Sequence, residues 1–332
     1  MSTIDLLICI MLDINHKSKE MKLSKLIILF CSFSLAQTVD KDLEAFRKVE
    51  KAVKNNLTEE IVKINNSFYM IKPINGVAGN IGVFISDKGL VLVDDQWEII
   101  EELILESINS ISKKDISFII NTHFHYDHVD GNKSFGKKGI PIVSHENVRK
   151  RLKRKTTLYP NPKNNFIMVQ DKYPDYALPS TVFNSTMKIY VDDEEIQLSN
   201  FGPGHTDGDT IVFFKKNNVI HAGDSFVTYG YPFVDLNDGG SFRGFINILS
   251  QIIALSNDQT KIIPGHGPVC DINDVIALKK ILQEHYEITE KGIAEGLSVK
   301  QIMAEIKSEL NGPGNITKED FIKNIIYDLK TN

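Results

Sequence analysis

Apolar residues along this chain fall into short alternating or continuous runs separated by turn residues, with stretches of helical spacing between them. Ile61-Val-Lys-Ile64 and Phe68-Tyr-Met-Ile-Lys72 read as strands around an Asn65-Asn66 turn. Asn80–Ser86 and Leu90–Val93 read as two more, joined by Asp87-Lys-Gly89, a hairpin signal. Ile99, Ile100, Leu103, Ile104 and Ile108 recur at helical spacing, and a strand Ile116–Ile120 follows. Next come a strand Ile140–Val143 and a basic helix near residues 145–155. Residues 156–180, where Pro160, Pro162, Pro174 and Pro179 stand among Asn and Asp, read as an irregular surface loop. Strands resume at Met187–Val191, Glu195–Leu198, Thr210–Phe214 and Val219–Ala222, before a Gly- and aromatic-rich loop from Phe226 to Arg243. A helix over 244–256 and a buried strand Lys261–Ile263 lead to a helical pattern from Ile272 onward, interrupted at Gly312-Pro-Gly-Asn315. Residues 40–60 are charged and helix-permissive. Irregular alternation with hairpins in both halves suits an α+β fold, two antiparallel-rich sheets stacked face to face with helices outside.

The 332 residues are ample for a buried core in one large domain or two small ones. A net charge of −5 recommends neither nucleic acid nor an anionic membrane as partner. Met21-Lys-Leu-Ser-Lys25, the apolar run Leu26–Leu35 and the small-x-small Ser34-Leu35-Ala36 read as a signal peptide over 21–36. That run is too short for the roughly 20 residues of a membrane-spanning helix, so no stable membrane insertion is expected after cleavage. Residues 1–20 then form a leader upstream of a true start at Met21, and the exported chain is expected to be periplasmic or secreted. Of the three cysteines only Cys270 remains after cleavage, which rules out an internal disulfide.

Five of the nine histidines sit in three short segments. His123, His125 and His128 belong to Thr122-His-Phe-His-Tyr-Asp-His128, with Asp127 among them. His205 follows Gly202-Pro-Gly204, and His266 lies in Pro264-Gly-His-Gly-Pro268. Asp224, in His221-Ala-Gly-Asp-Ser225, joins them. Imidazole and carboxylate are ligands of borderline metals such as zinc, usually four to an ion, so seven such ligands suit two ions sharing a solvent oxygen. Side chains two apart on a strand share a face, so His123 and His125 are expected to reach one ion from a strand end. A turn then aims Asp127 and His128 at a second position, and every candidate ligand lies just beyond an apolar strand.

These segments resemble, in order, the motif series of the metallo-β-lactamase superfamily. The residues are Thr122-His-Phe-His-Tyr-Asp-His-Val-Asp-Gly-Asn132, Gly204-His-Thr-Asp-Gly-Asp-Thr210, Ala222-Gly-Asp-Ser-Phe226 and Ile263-Pro-Gly-His-Gly-Pro268. The resemblance implies a four-layer αββα sandwich over residues 60–285, with 286–332 a C-terminal helical extension. It implies two zinc ions per chain: His123, His125 and His205 on the first, Asp127, His128 and His266 on the second, Asp224 bridging both. Asp94 matches the family's acid after the early hairpin and supports a ligand rather than binding metal. In the implied chemistry a metal-bound hydroxide attacks a carbonyl while Asp127 orients it.

A bridging Asp224 resembles thioesterases of the glyoxalase II type, lactonases and tRNA-processing nucleases, whereas zinc β-lactamases more often carry Cys or a small hydroxyl residue there. Export and an acidic surface favour a small-molecule carboxylic ester, lactone or β-lactam as substrate. The alternatives are a β-lactamase proper, a glyoxalase II-type thioesterase, a mononuclear iron enzyme like the persulfide dioxygenases, and a zinc-stabilised binding module. Weaker features complete the reading. The run Arg149–Lys155 either recruits an anionic substrate or is a solvated helix face. The 226–243 loop, with Tyr229, Tyr231, Phe233, Asp235 and Phe242, either lines a pocket or packs locally. His145 and His221 lie near motifs, His221 as a core or supporting histidine rather than a ligand. His285 is expected on the surface and His16 in the leader.

Overall fold

The early alternating runs form a meander of four strands: β1 (Thr58–Lys63), β2 (Phe68–Ile74), β3 (Ile81–Ser86) and β4 (Gly89–Val93), each antiparallel to the last. In the first turn the Asn65 side-chain oxygen accepts from the amides of Ser67 and Phe68, an Asx turn. The computed structural model describes residues 41–331 apart from residue 76 and residues 162–165. The expected leader and signal peptide, with Cys9, Cys31 and His16, lie outside the described residues. The chain divides into residues 1–47, in which 41–47 are helical, and residues 48–332, which hold everything discussed below.

Helix α1 (Glu101–Ile111) carries the chain to β5 (Ile116–Ile120), which is parallel to β4. The short helices α2 (Tyr126–Val129) and α3 (Asn132–Lys137) lead to β6 (Ile142–His145), parallel again, and α4 (Glu146–Leu152) follows. Next comes a separate antiparallel ribbon of β7 (Thr156–Asn161) and β8 (Phe166–Gln170). Strand β9 (Thr181–Phe183) then pairs in parallel with β6 and closes a seven-stranded sheet. Half of that sheet is therefore parallel, not antiparallel as the hairpins alone suggest, because helical crossovers return each strand in the same direction.

The second sheet contains β10 (Thr186–Val191), β11 (Glu194–Ser199), β12 (Ile211–Phe214) and β13 (Val219–His221), all antiparallel, with β14 (Lys261–Ile263) parallel to β13. The sheets pack face to face. Phe68 and Phe84 of the first meet Phe214 of the second at ring centroids 4.7 and 5.4 Å apart, amid Val91, Val143, Ile196 and Val212. On its other side the second sheet packs Ile211, Phe213 and Ile220 against Phe245 and Leu249 of α5 (Phe242–Leu255). Val275 and Leu282 of α6 (Ile272–Ala294) join the same cluster. Helix α1 buries Ile104 and Ile108 and lies against β1. The result is the expected αββα sandwich.

Three expectations change. Residues 156–180 are not an irregular loop: β7 and β8 pair, and Leu158, Met168, Tyr173, Ala177 and Leu178 are buried. His285 is buried, not on the surface, bonded to the Tyr231 hydroxyl at 3.1 Å and the Ile281 carbonyl at 2.8 Å. The extension expected from residue 286 starts in the middle of α6. Beyond it, α7 (Val299–Glu305) and α8 (Lys318–Thr331) follow, and Phe321 and Ile325 of α8 share one core with Phe242 of α5. Cys270 is free and buried, and burial together with Asp274 pushes its thiol up to about 12. Among the described residues no helix is long and apolar enough to cross a membrane.

Candidate metal centre

Strand β5 stops at Ile120, so His123 and His125 sit in the loop beyond it rather than on the strand itself. What fixes that loop is Asp94, at the end of β4 with a left-handed φ of 63°. One carboxylate oxygen accepts from the Thr122 amide at 2.7 Å; the other accepts from the Thr122 hydroxyl at 2.8 Å and lies 2.8 Å from His128 Nδ1. A non-glycine residue held in this backbone region is strained by on the order of 1–3 kcal/mol and persists where its surroundings over-determine it. Asp94 thus supports the site, as expected of it. Asp127 and His128 follow on α2.

His205 is presented by a turn that Asp209 builds, accepting from the Thr206 amide at 3.0 Å and the Thr206 hydroxyl at 2.6 Å. Asp224 lies on a single 3-10 turn just after β13, and His266 follows β14. The Asp224 loop and the His266 loop touch: a Cβ at Gly265 would sit 1.9 Å from Asp224 Oδ1, so only glycine allows this approach.

All seven expected ligands converge. His123, His125 and His205 form one group and Asp127, His128 and His266 another, while His123, His128 and Asp224 form a third between them; ligand atoms within each group lie within 4.8 Å. His125 Nδ1 is 2.8 Å from His205 Nε2. His266 Nε2 is 3.3 Å from both Asp127 Oδ2 and His128 Nε2. Asp224 faces both sides, with Oδ1 at 3.1 Å from His128 Nε2 and Oδ2 at 3.6 Å from His205 Nε2.

The nitrogens turned away from this centre have partners of their own. His123 Nδ1 meets the Thr122 hydroxyl at 3.0 Å, His125 Nε2 meets Asp235 Oδ2 at 3.0 Å, and His205 Nδ1 donates to the Phe233 carbonyl at 2.7 Å. Such outer bonds set ring orientation and leave the inner nitrogen as a lone-pair donor. His123 Nε2 is buried with no hydrogen-bond partner at all. An orphaned buried acceptor aimed into a cluster of imidazole and carboxylate fits a divalent cation and little else.

The electrostatics divide the centre. Burial, aided by neighbouring imidazoles, pulls His123 well down and His205 down to about 4, so both rings are neutral at pH 7. Burial opposes charge on His266 as well, yet Asp224 and Asp127 push it up to about 9. The same pairing, against burial, holds Asp224 well below the usual carboxylate range and lowers Asp127.

The sequence profile of the metallo-beta-lactamase superfamily matches residues 74–266. The chain belongs to that superfamily. Metallo-beta-lactamase IND-1 of Chryseobacterium indologenes is 24% identical over 64% of this chain and 83% of its own. A hydroxyacylglutathione hydrolase of Pelagibacter ubique is 26% identical over 65% of this chain and 80% of its own. Among solved structures, a metallo-beta-lactamase from Pontibacter korlensis superposes with a TM-score of 0.52 at 16% identity, covering 68% of this chain and 99% of that one. Members of the superfamily are hydrolases, and the His-rich centre of this one is a candidate metal site.

Other sequence candidates divide. From the 226–243 loop, Tyr229 and Phe233 line a cavity of about 570 Å³ that opens on the centre, whereas Tyr231 and Phe242 pack on Phe321 in the core. Asp235, named for its loop alone, turns out to hold His125. The run Arg149–Lys155 does not line the cavity: Lys150, Lys153, Arg154 and Lys155 are exposed, as a solvated helix face would be, while Arg151 turns inward. Arg151 pairs with Asp207 at 2.6 Å and with Asp238, and Arg154 also pairs with Asp238, clamping the loops that carry His205 and Asp235. His221 is buried, bonded to the Asn80 carbonyl at 3.1 Å, and His145 bonds the Asn184 carbonyl at 2.8 Å; neither is a ligand candidate. Sequence reading missed Leu158, Met168 and Pro313–Ile316, which also line the cavity. Isolated apolar residues far apart in the chain carry no signal that could have grouped them.

Proposed function

We propose that this chain is an exported hydrolase that uses two zinc ions to cleave a small carboxylic ester or lactone. The observation that carries the reading is Asp224, whose two oxygens face different ligand groups, as a residue shared by two ions would. His123, His125 and His205 would hold one zinc, Asp127, His128 and His266 the other, and Asp224 both. Zinc held there supplies Lewis acidity and makes water acidic enough to ionise near neutral pH. Asp127, ionised and lining the cavity, is the chain's own acceptor for a water proton and can return it to the departing oxygen. Asp94, Thr122, Phe233 and Asp235 fix the rings so that the ligand geometry needs no reorganisation. Water adds across the acyl C–O bond, giving a carboxylate and an alcohol; a lactone opens to the hydroxy acid.

Export rests on the Met21–Ala36 pattern, which also argues against a cytosolic thioester as substrate. Similarity to IND-1 favours β-lactams as a second reading, which Asp224 speaks against. The test is turnover by purified, zinc-loaded residues 37–332, with and without a chelator, on a chromogenic β-lactam and a panel of esters and lactones. Chelator-sensitive ester or lactone hydrolysis, with two zincs per chain, supports the first reading. Enzymatic β-lactam turnover with inert esters replaces it by the second. Iron in place of zinc removes both.

A further inference from the structure

We infer that the cavity beside the metal centre receives the apolar arm of an uncharged ester or lactone, and that the tail segment Pro313–Ile316 is one of its walls. This rests on the hydrolytic reading above and names the substrate that reading leaves open. The cavity, about 570 Å³, falls in the range of sites that bury a small ligand. At its floor are His125, Asp127, Asp224 and His266; apart from these ligand candidates, no described residue of the lining is charged. Val77, Leu158, Met168, Phe233, Pro313 and Ile316 supply the walls.

Two physical consequences follow from that lining. An arm of methylenes is drawn in by burial of its apolar surface. An anionic arm, by contrast, would bring its charge against walls whose described residues offer no cation to pair with, which is costly.

The tail wall is built, not incidental. The Gly314 amide donates to the Tyr229 carbonyl at 2.7 Å, and a Cβ at Gly312 would lie 2.2 Å from that same oxygen, so only glycine lets the tail come this close. Ile316 packs onto the core cluster of α5 and α6, which fixes the far end of the segment. Tyr229 itself faces His266, with ring centroids 5.6 Å apart, so the tail is seated one residue away from the candidate ligands.

The test uses the full zinc-loaded chain with two ligand series. In the first, 4-nitrophenyl esters run from acetyl to octanoyl; kcat/KM is expected to rise about threefold to fourfold for each methylene buried, until the arm outgrows the cavity. In the second, n-alkyl amides from butanamide to octanamide are titrated by calorimetry, and affinity is expected to rise with length; the 4-nitrophenyl monoester of octanedioic acid, anionic at the far end of its arm, is expected to be cleaved more slowly than the octanoyl ester. Ile316→Asp is expected to cut the octanoyl-to-acetyl ratio at least about tenfold with bound zinc unchanged. Pro313→Asp, at an exposed residue, repeats the measurement should the first variant not fold. Hydrolysis that ignores chain length, or an octanedioate monoester cleaved faster than the octanoyl ester, overturns the inference while the hydrolytic reading stands. Length-dependent amide binding without ester or lactone turnover does the reverse.

Discussion

The floor and the wall of this site are made in opposite ways. The floor, with the metal centre beneath it, is seven polar side chains, six of them nearly water-free, with the outward nitrogens of His123, His125, His128 and His205 bonded to a second tier of groups. The wall is apolar, comes from four distant segments, and is fixed mostly by packing and by backbone contacts such as Gly314 to Tyr229. Hydrogen bonding tolerates little displacement, whereas packing tolerates exchange of one apolar residue for another of similar size. Chemistry is therefore expected to be brittle at the floor and specificity adjustable at the wall.

The strongest way to break that contrast is Asp224→Ala. It is expected to lower kcat/KM by ~10³ or more, about 4 kcal/mol of barrier, and to release zinc, measured as metal content beside turnover. A fully active variant removes the shared-ligand reading. Asp235→Asn and Asp94→Asn come next. Each leaves the metal ligands intact but weakens the hold on His125 or His128, and zinc affinity by chelator competition is expected to fall about 10–100-fold. No change in either would show that ring orientation is set by packing instead.

Acid sharpens the contrast within the floor. An imidazole must lose its proton to bind metal. His266, pushed up to about 9, keeps its proton to high pH, and Asp224 and Asp127 raise His128 of the same group against burial, so zinc there weakens at least about tenfold for each unit that the pH falls. His205, pulled down to about 4, competes with protons only near that pH. As pH falls, bound zinc is expected to drop from two per chain to one, and only later to none; simultaneous loss would show that the ligand groups are not distinct. The smallest effect belongs to the wall. Val77→Ala, at a partly exposed position, is expected to change kcat/KM at most about fourfold and zinc content not at all.

The same contrast explains what was legible in the sequence. The floor was, because metal binding demands particular residue types and the ligands fall in local motifs: His123, His125, Asp127 and His128 occupy six consecutive positions. Even Asp94 followed, from the resemblance to a family that carries an acid after its early hairpin. The wall was legible only at Phe233 of the 226–243 loop; Leu158, Met168 and Ile316 are ordinary apolar residues brought together only by the finished fold. Strand β7 was hidden by Pro160, which lies where the register shifts between Leu158 and Asn161 in a two-stranded ribbon, a place that tolerates a missing amide hydrogen. The parallel half of the first sheet was hidden because periodicity reports burial and not strand direction. His285 was misplaced because its partners, Tyr231 and Phe321, come from distant segments.

The glycine contacts between the tail and Tyr229 have a consequence for how this protein can change over generations. Lengthening, shortening or recomposing the stretch around Pro313 leaves every candidate zinc ligand untouched in sequence. The chemistry of the cavity wall can thus change by substitution in the tail with the candidate ligands unaltered. Losing everything after Leu310 would leave the motifs intact but would remove this wall together with Phe321 and Ile325 of the core.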